Sequence, residues 1–166
     1  MYQIGDLVVY GSTGVCRVDG FSNPDGNSDK LYYRLSPFYQ SGVVHIPASM
    51  EQTALRQIMT ADAAKELLSQ ISAIPVEIFR ERTIQQLSQR YQAILRSGDS
   101  LQLLSLILSV QEKRRQAEAQ KRRLGMVDER YGRQAEKILF GELAVALDIS
   151  MDDVSRLISD RLTERI

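Results

Sequence analysis

The chain has 166 residues, with 21 basic and 21 acidic side chains, one His, one Cys and no Trp. A chain of this length can bury a core without disulfides or a structural metal. Its single cysteine, Cys16, excludes an intramolecular disulfide. The most apolar window, residues 101–110, is far shorter than the roughly 20 residues of a membrane-spanning helix, and the N-terminus does not resemble a signal peptide. These features predict a cytoplasmic protein without a membrane segment.

The two ends of the chain differ in composition. Six of the ten glycines and seven of the eleven aromatic residues lie in the first 50 residues. Residues 76–123 carry ten basic and five acidic side chains, whereas residues 124–166 carry six basic and nine acidic ones. We therefore expect two domains, residues 1–57 and residues 58–166.

The first domain is predicted to consist of short strands. Runs of β-branched and aromatic residues between turn residues predict strands over 6–10, 15–19, 31–35 and 43–46, and allow a fifth near 53–56. In the second run, Cys16 and Val18 fall on one face and Arg17 and Asp19 on the other, which is typical of a half-buried strand. The run of Ser, Asn, Pro, Asp and Gly over residues 22–29 predicts a loop. Short antiparallel strands of this number favour a small barrel.

The second domain has the 3.6-residue periodicity of helices. We expect a helix over 61–69 capped by Thr60, a second from Pro75 to Ser97, a third from Asp99 to about 123, a fourth over 128–147 and a fifth from Ser150. The second has one apolar stripe, formed by Phe79, Ile84, Leu87, Tyr91 and Ile94. The third is apolar nearly all round at its start and is expected at the centre of a helical bundle. The predicted fold class is α+β. Whether the acidic end packs on the bundle or covers its basic face stays open.

Few residues of this sequence are candidates for catalysis or for metal binding. A nucleophile or a metal site would have to use Cys16 and His45, but one Cys and one His do not make a metal site. Cys16 is expected to be a buried, inert thiol. The Gly11-Ser12-Thr13-Gly14 turn lacks the lysine and the following helix of a phosphate-binding loop. We therefore expect no enzyme and no cofactor.

The basic middle of the chain is the remaining functional signal. Arg outnumbers Lys eight to two between residues 76 and 123. A charged helix face is usually only a solvated face, yet the planar guanidinium suits contacts to phosphate. On charge alone, both interpretations stay open.

Several motifs, in order, resemble a known family. They are Ile4-Gly5-Asp6-Leu7-Val8-Val9-Tyr10, Tyr32-Tyr33-Arg34-Leu35, Val44-His45-Ile46-Pro47, Gln89-Arg90-Tyr91 and Ala135-Glu136-Lys137-Ile138-Leu139-Phe140-Gly141-Glu142-Leu143-Ala144. Together they resemble the CarD/CdnL family of bacterial transcription regulators. The resemblance implies a Tudor-like N-terminal barrel, shared with the transcription-repair coupling factor, that binds the RNA polymerase β subunit. It also implies a helical domain that contacts promoter DNA without sequence specificity and supports the open complex, in the cytoplasm on the nucleoid.

The resemblance implies particular contact residues. The polymerase-binding edge would comprise Arg34, Val43, Val44, His45 and Ile46. Relatives often carry Arg at the position of His45, so the contact here is either weaker or dependent on pH.

The candidate DNA contacts by the same resemblance are Arg80, Arg82, Leu87 and Arg90. Relatives insert a Trp into the minor groove, and the matching position here is Leu87, or Ile84 in an alternative alignment. Leu87 could wedge a base step or belong to the core. The alternative is an adaptor that binds polymerase and has lost the DNA contact.

Overall fold

The computed structural model describes residues 1–23 and 30–164. Within them the predicted α+β class is confirmed: an antiparallel sheet precedes a set of helices. Most of the loop predicted over 22–29 lies outside the described residues, although Ser22 itself ends a strand.

The N-terminal sheet has five strands in the described residues. They are β1 (Leu7–Tyr10), β2 (Gly14–Ser22), β3 (Tyr32–Pro37), β4 (Val44–Pro47) and β5 (Leu55–Gln57). All pair antiparallel in the order β4-β3-β2-β1-β5, so β4 and β5 are the outer strands. A one-turn helix, α1 (Glu51–Ala54), connects these two strands.

The inner face of this sheet forms a core of its own. The alternation predicted for β2 is confirmed, since Cys16 and Val18 are fully buried while Arg17 is exposed. Tyr33 and Leu35 of β3 are also fully buried in the same cluster. The residues of this cluster all come from the part of the chain before residue 58.

The helices that follow form a second core. They are α2 (Ala61–Gln70), α3 (Ile84–Ser97), α4 (Ser100–Ala119), α5 (Met126–Leu147) and α6 (Met151–Thr163). The predicted caps Thr60, Asp99 and Ser150 each accept a backbone N–H with the side chain, and Gly98 ends α3 in the left-handed conformation.

The centre of the helical core is α4, as its sequence predicts. Leu103, Leu104 and Leu106 are completely buried on different sides of this helix. The acidic end of the chain packs on the bundle, because Val154 and Ile158 of α6 are buried in the same cluster.

Two predicted helix limits are wrong. The second helix begins at Ile84 instead of Pro75, because the Thr83 hydroxyl accepts the N–H of Gln86 and caps the helix there. Residues 75–83 form a non-helical segment, here called the strap, and Arg80 and Arg82 therefore lie on the strap and not on a helix. Ile84 is 72% exposed and does not belong to the apolar stripe.

The third helix ends earlier than predicted, at Ala119 rather than near residue 123. Lys121 adopts a left-handed backbone with φ of 56°, and the N–H of Arg122 donates to the carbonyl of Ala117 at 2.7 Å. This arrangement closes the helix end. Arg122 and Arg123 consequently follow the helix instead of extending it.

The sheet and the helices meet at a close junction. The Tyr39 hydroxyl donates to the Gly141 carbonyl at 3.1 Å. The Arg56 guanidinium donates to both carboxylate oxygens of Glu142, at 2.7 and 2.5 Å, and to the Gly98 carbonyl at 2.8 Å. The N–H of Met59 donates to the same carboxylate at 2.9 Å. The junction therefore joins β5 directly to α3 and α5.

Candidate functional site

Two basic side chains lie side by side on the outer face of the sheet. Arg34 of β3 and His45 of β4 are register partners, and both are exposed. The Nδ1 atom of His45 is 2.9 Å from the Ser22 hydroxyl, so β2 fixes the imidazole orientation. These two side chains form one accessible basic surface, which we call the barrel patch.

The other three residues predicted for polymerase binding occupy different environments. Val43 precedes β4 and is 52% exposed. Val44 is half-buried and Ile46 is 5% exposed, because both side chains pack into the core of the sheet. Ile46 can therefore reach a partner only through the backbone of the outer strand β4, whereas Val44 exposes part of its side chain and Val43 more than half.

An acidic group lies on the same face of the sheet. The Asp19 carboxylate accepts hydrogen bonds from the Ser36 hydroxyl and from Nε of Arg17, the latter at 2.8 Å. These hydrogen bonds lower the pKa of Asp19 below its ordinary value, with that of Ser36 having the larger effect. Arg17 is thus paired with an internal carboxylate, whereas Arg34 and His45 form no ion pair with a carboxylate of residues 1–23 or 30–164.

A groove with basic walls opens at one end of the helical domain. It has a volume of about 580 Å³ and lies between the strap, α3, the end of α4 and the start of α5. We call it the basic groove; its cationic side chains are Arg80, Lys113, Arg122 and Arg123.

The four cations of the basic groove are not equivalent. Lys113 is neutralised by Asp128 at 3.0 Å, and Asp128 also accepts the hydroxyl of Tyr91 at 2.6 Å. Burial, followed by this carboxylate, raises the pKa of Tyr91. Arg80, Arg122 and Arg123 are exposed and form no ion pair with any carboxylate of residues 1–23 or 30–164. These three arginines are available to an anion.

Leu87 lines the same groove. Its side chain is half-buried and packs against the helical core. The residue thus takes part in the core and also presents a surface between the arginines. Both of the roles foreseen for Leu87 remain compatible with this position.

Arg90 is engaged within the protein. Its guanidinium donates to Glu81 at 3.1 Å and to Glu77 at 3.2 Å, and it lies over the Phe79 ring, 4.1 Å from the centroid. The side chain is 35% exposed. The structure does not bring Arg90 into the basic groove, whereas Arg80 lies there and Arg82 is exposed on the strap.

Arg122 and Arg123 were missed as contact candidates in the sequence. They lie in the basic segment of residues 76–123, but an α-helix continued to residue 123 would distribute them around its surface. The left-handed Lys121 instead turns the chain, so that Arg122 and Arg123 line one groove with Arg80. Positive φ at a lysine has no clear sequence signal.

Catalytic and metal chemistry finds little support in the described residues. Cys16 is fully buried, and burial raises the pKa of its thiol to about 12. Residues 1–23 and 30–164 contain no group of three or more His, Cys, Asp or Glu side chains placed to hold a metal ion. No helix among them is long and apolar enough to cross a membrane.

Comparison with known proteins identifies the N-terminal part of the chain. Residues 2–59 match the family model described as the CarD-like/TRCF RID domain. No curated protein matches the chain. The match covers the whole five-stranded sheet and agrees with the resemblance seen in the sequence. The chain therefore carries, at residues 2–59, a domain of the CarD-like/TRCF RID family, a non-catalytic RNA polymerase-interacting domain with a function in transcription.

Proposed function

We propose that this protein is a non-enzymatic, CarD-like regulator of bacterial transcription. Its N-terminal domain binds the β subunit of RNA polymerase, and its helical domain contacts promoter DNA without sequence specificity and modulates the stability of the open complex. The observation that carries the proposal is the family match over residues 2–59. A protein with this role acts in the cytoplasm, on the nucleoid, and needs no cofactor.

The barrel patch and the β4 edge support the polymerase contact. Arg34 offers a cationic group to acidic residues of a partner, His45 offers an exposed imidazole, and Val43 offers an exposed apolar side chain beside them. As an outer strand, β4 also leaves backbone groups on one side without a strand partner in the described sheet. Such an edge suits a protein partner that combines backbone pairing with specific side-chain contacts.

The basic groove supports the DNA contact. Three arginines that form no ion pair within the described part of the chain, Arg80, Arg122 and Arg123, surround a half-buried Leu87. Arginine binds phosphate through its planar fork, and phosphate contacts position a protein on DNA without reading the sequence. Arg82 on the strap adds a further exposed cation. A small number of contacts fits a protein that is neutral overall and reaches DNA while held by polymerase.

The two separate hydrophobic clusters support the division into two domains. One cluster contains only residues up to Leu55, and the other begins with Met59. We therefore propose that residues 1–57 form the polymerase-binding domain and residues 58–166 the domain that contacts DNA.

A polymerase-binding adaptor without DNA contact is the second candidate. The observations that favour it are the absence of Trp from the chain and the engagement of Arg90 by Glu77 and Glu81. In this case the helical domain would act through protein contacts only.

A salt titration separates the two candidates. The affinity of the full chain for a complex of polymerase and promoter DNA is measured at increasing salt, for the wild type and for the Arg122→Ala, Arg123→Ala variant. Each phosphate contact steepens the logarithmic slope by about 0.9, so loss of two contacts flattens it by about 1.8.

The matched control for this titration is the Arg156→Ala, Arg161→Ala variant, which removes the same charge from α6, outside the groove. A flatter slope for the groove variant alone supports the DNA contact. Equal slopes and affinities for all three proteins would favour the adaptor. Absence of binding to a purified polymerase β lobe at micromolar concentration would refute both candidates.

A further inference from the structure

Arg90 of α3 contacts three residues of the strap, whose Phe79 ring also packs against Tyr91 of the same helix. The Arg90 guanidinium binds Glu77 and Glu81 on either side of Phe79 and stacks on the ring of that residue. Phe79 is 4% exposed, and its N–H donates to the Ser109 hydroxyl of α4 at 3.0 Å. The strap is thus attached to α3 by ionic and cation–π contacts and to α4 by one buried hydrogen bond.

The cations proposed to meet DNA alternate with these anchors. Glu77, Phe79 and Glu81 are spaced two residues apart, and Arg80 and Arg82 occupy the positions directly after Phe79 and Glu81. The anchors contact Arg90, and one of them, Glu81, also lines the basic groove beside Arg80, while Arg82 is exposed. The direction of both arginines consequently depends on how the strap is fixed.

We propose that Arg90 is a positioning residue for the DNA contact: it fixes the strap so that Arg80 and Arg82 meet the phosphates, and it makes no phosphate contact itself. The inference rests on the proposed function, since it presupposes that the helical domain touches DNA. Arginine suits this role because one planar group can bind two carboxylates and stack on an aromatic ring at once. Lysine, a compact point charge, cannot reproduce that combination.

The sharpest test removes negative charge next to the proposed DNA contact. In the Glu77→Gln, Glu81→Gln variant, two carboxylates that repel phosphate are gone, so electrostatics alone would strengthen binding. If Arg90 positions the strap, the same variant loosens it and weakens binding. The full-length variant is titrated onto the polymerase–promoter complex, and we expect a lower affinity than for the wild type.

The matched control is Glu118→Gln. This substitution removes an exposed carboxylate beside Arg122 and Arg123 without touching the strap, and we expect an affinity equal to or higher than that of the wild type.

Substitution of Arg90 itself provides the second test. Arg90→Ala is expected to flatten the salt slope by about 1.8, as Arg80→Ala, Arg82→Ala does, because two phosphate contacts are lost together. Arg90→Lys is expected to behave like Arg90→Ala, although it keeps the charge. A direct phosphate contact by Arg90 would instead give a change of about 0.9 for Arg90→Ala and none for Arg90→Lys.

Hydrogen exchange checks that these variants act through the strap. The Phe79 N–H should lose protection in Arg90→Ala, whereas amides of the α4 core should keep it. A higher affinity of the Glu77→Gln, Glu81→Gln variant for the polymerase–promoter complex would overturn the positioning role while leaving the DNA contact intact. A wild-type salt slope for Arg90→Lys would do the same. A wild-type slope for Arg80→Ala, Arg82→Ala would show that the strap makes no DNA contact, and would overturn the inference together with that part of the proposed function.

Discussion

Arg56 and Glu142 form a bidentate ion pair across the junction between the sheet and the helices. Glu142 is completely buried, and the Arg56 side chain is 32% exposed. Because Arg56 also binds the Gly98 carbonyl, one side chain of β5 is attached to both α3 and α5. Together with the Tyr39–Gly141 hydrogen bond, this pair fixes the orientation of the barrel patch relative to the basic groove.

Removal of Arg56 is expected to destabilise the protein strongly. Arg56→Ala leaves the buried Glu142 carboxylate without its cation, which costs about 3 kcal/mol in the free energy of unfolding. Urea denaturation measures the loss. The control is Arg17→Ala, which breaks an exposed pair with Asp19 and should cost less than about 1 kcal/mol. An Arg56→Met, Glu142→Gln double variant should recover part of the stability, and a negligible effect of Arg56→Ala would contradict the role of the pair.

Gly141 is required for the close approach of Tyr39 at the junction. A Cβ atom at position 141 would lie 2.7 Å from Cε2 of Tyr39, closer than real contacts allow. Gly141→Ala should therefore lower the free energy of unfolding by about 1–3 kcal/mol, in spite of the higher helix propensity of alanine. Thermal unfolding tests this, and Tyr39→Ala in the same chain should relieve the clash. Additive effects of the two substitutions would argue against the contact.

The Cys16 thiol is expected to be unreactive in the folded protein. It is fully buried, and its pKa is raised to about 12 by burial. At about pH 8, alkylation by iodoacetamide should be at least about a hundredfold slower in the native chain than in the urea-unfolded chain. Similar rates in both states would show that the sheet exposes the thiol. Cys16→Ala should leave polymerase binding unchanged, since the thiol lies inside the core.

The ionised Asp19 carboxylate should stabilise the folded sheet. Its pKa is lower in the folded protein than the ordinary value of 3.8, chiefly through the Ser36 hydroxyl. The contribution is therefore complete above about pH 5, decreases as the pH falls through the ordinary pKa, and is lost below the folded pKa. Asp19→Asn should reduce the acid dependence of the unfolding free energy in this range, and Ser36→Ala should do so in part. An unchanged pH profile for Asp19→Asn would contradict this assignment.

The sequence predicted those features of the fold that depend on local patterns. Alternation placed Cys16 and Val18 inside the sheet, and the capping residues Thr60, Asp99 and Ser150 began three of the helices correctly. The start of α3 was misplaced because Pro75 is suited to a first helical turn. The competing attachments of the strap to Ser109 and Arg90 come from distant parts of the chain and have no local signal.

The candidate site was predictable only in part, for the same physical reason. The basic character of residues 76–123 was visible in the composition, and the family resemblance added Arg80 and Arg82 as candidate contacts beside Arg90. The pairing of Arg90 with two carboxylates and the gathering of Arg122 and Arg123 around the groove depend on tertiary packing and on one left-handed residue. Charge counts cannot distinguish a free arginine from one already engaged within the protein.

Binding of the polymerase β subunit through the barrel patch of the N-terminal domain is measured by a titration with the purified β lobe. The full chain should bind at micromolar concentration, and the Arg34→Glu, His45→Glu variant should bind at least about tenfold more weakly, because its charges would repel an acidic partner. Arg156→Glu, an exposed charge reversal on α6, should bind like the wild type. Absence of wild-type binding, or equal affinity of the Arg34→Glu, His45→Glu variant, would contradict the account.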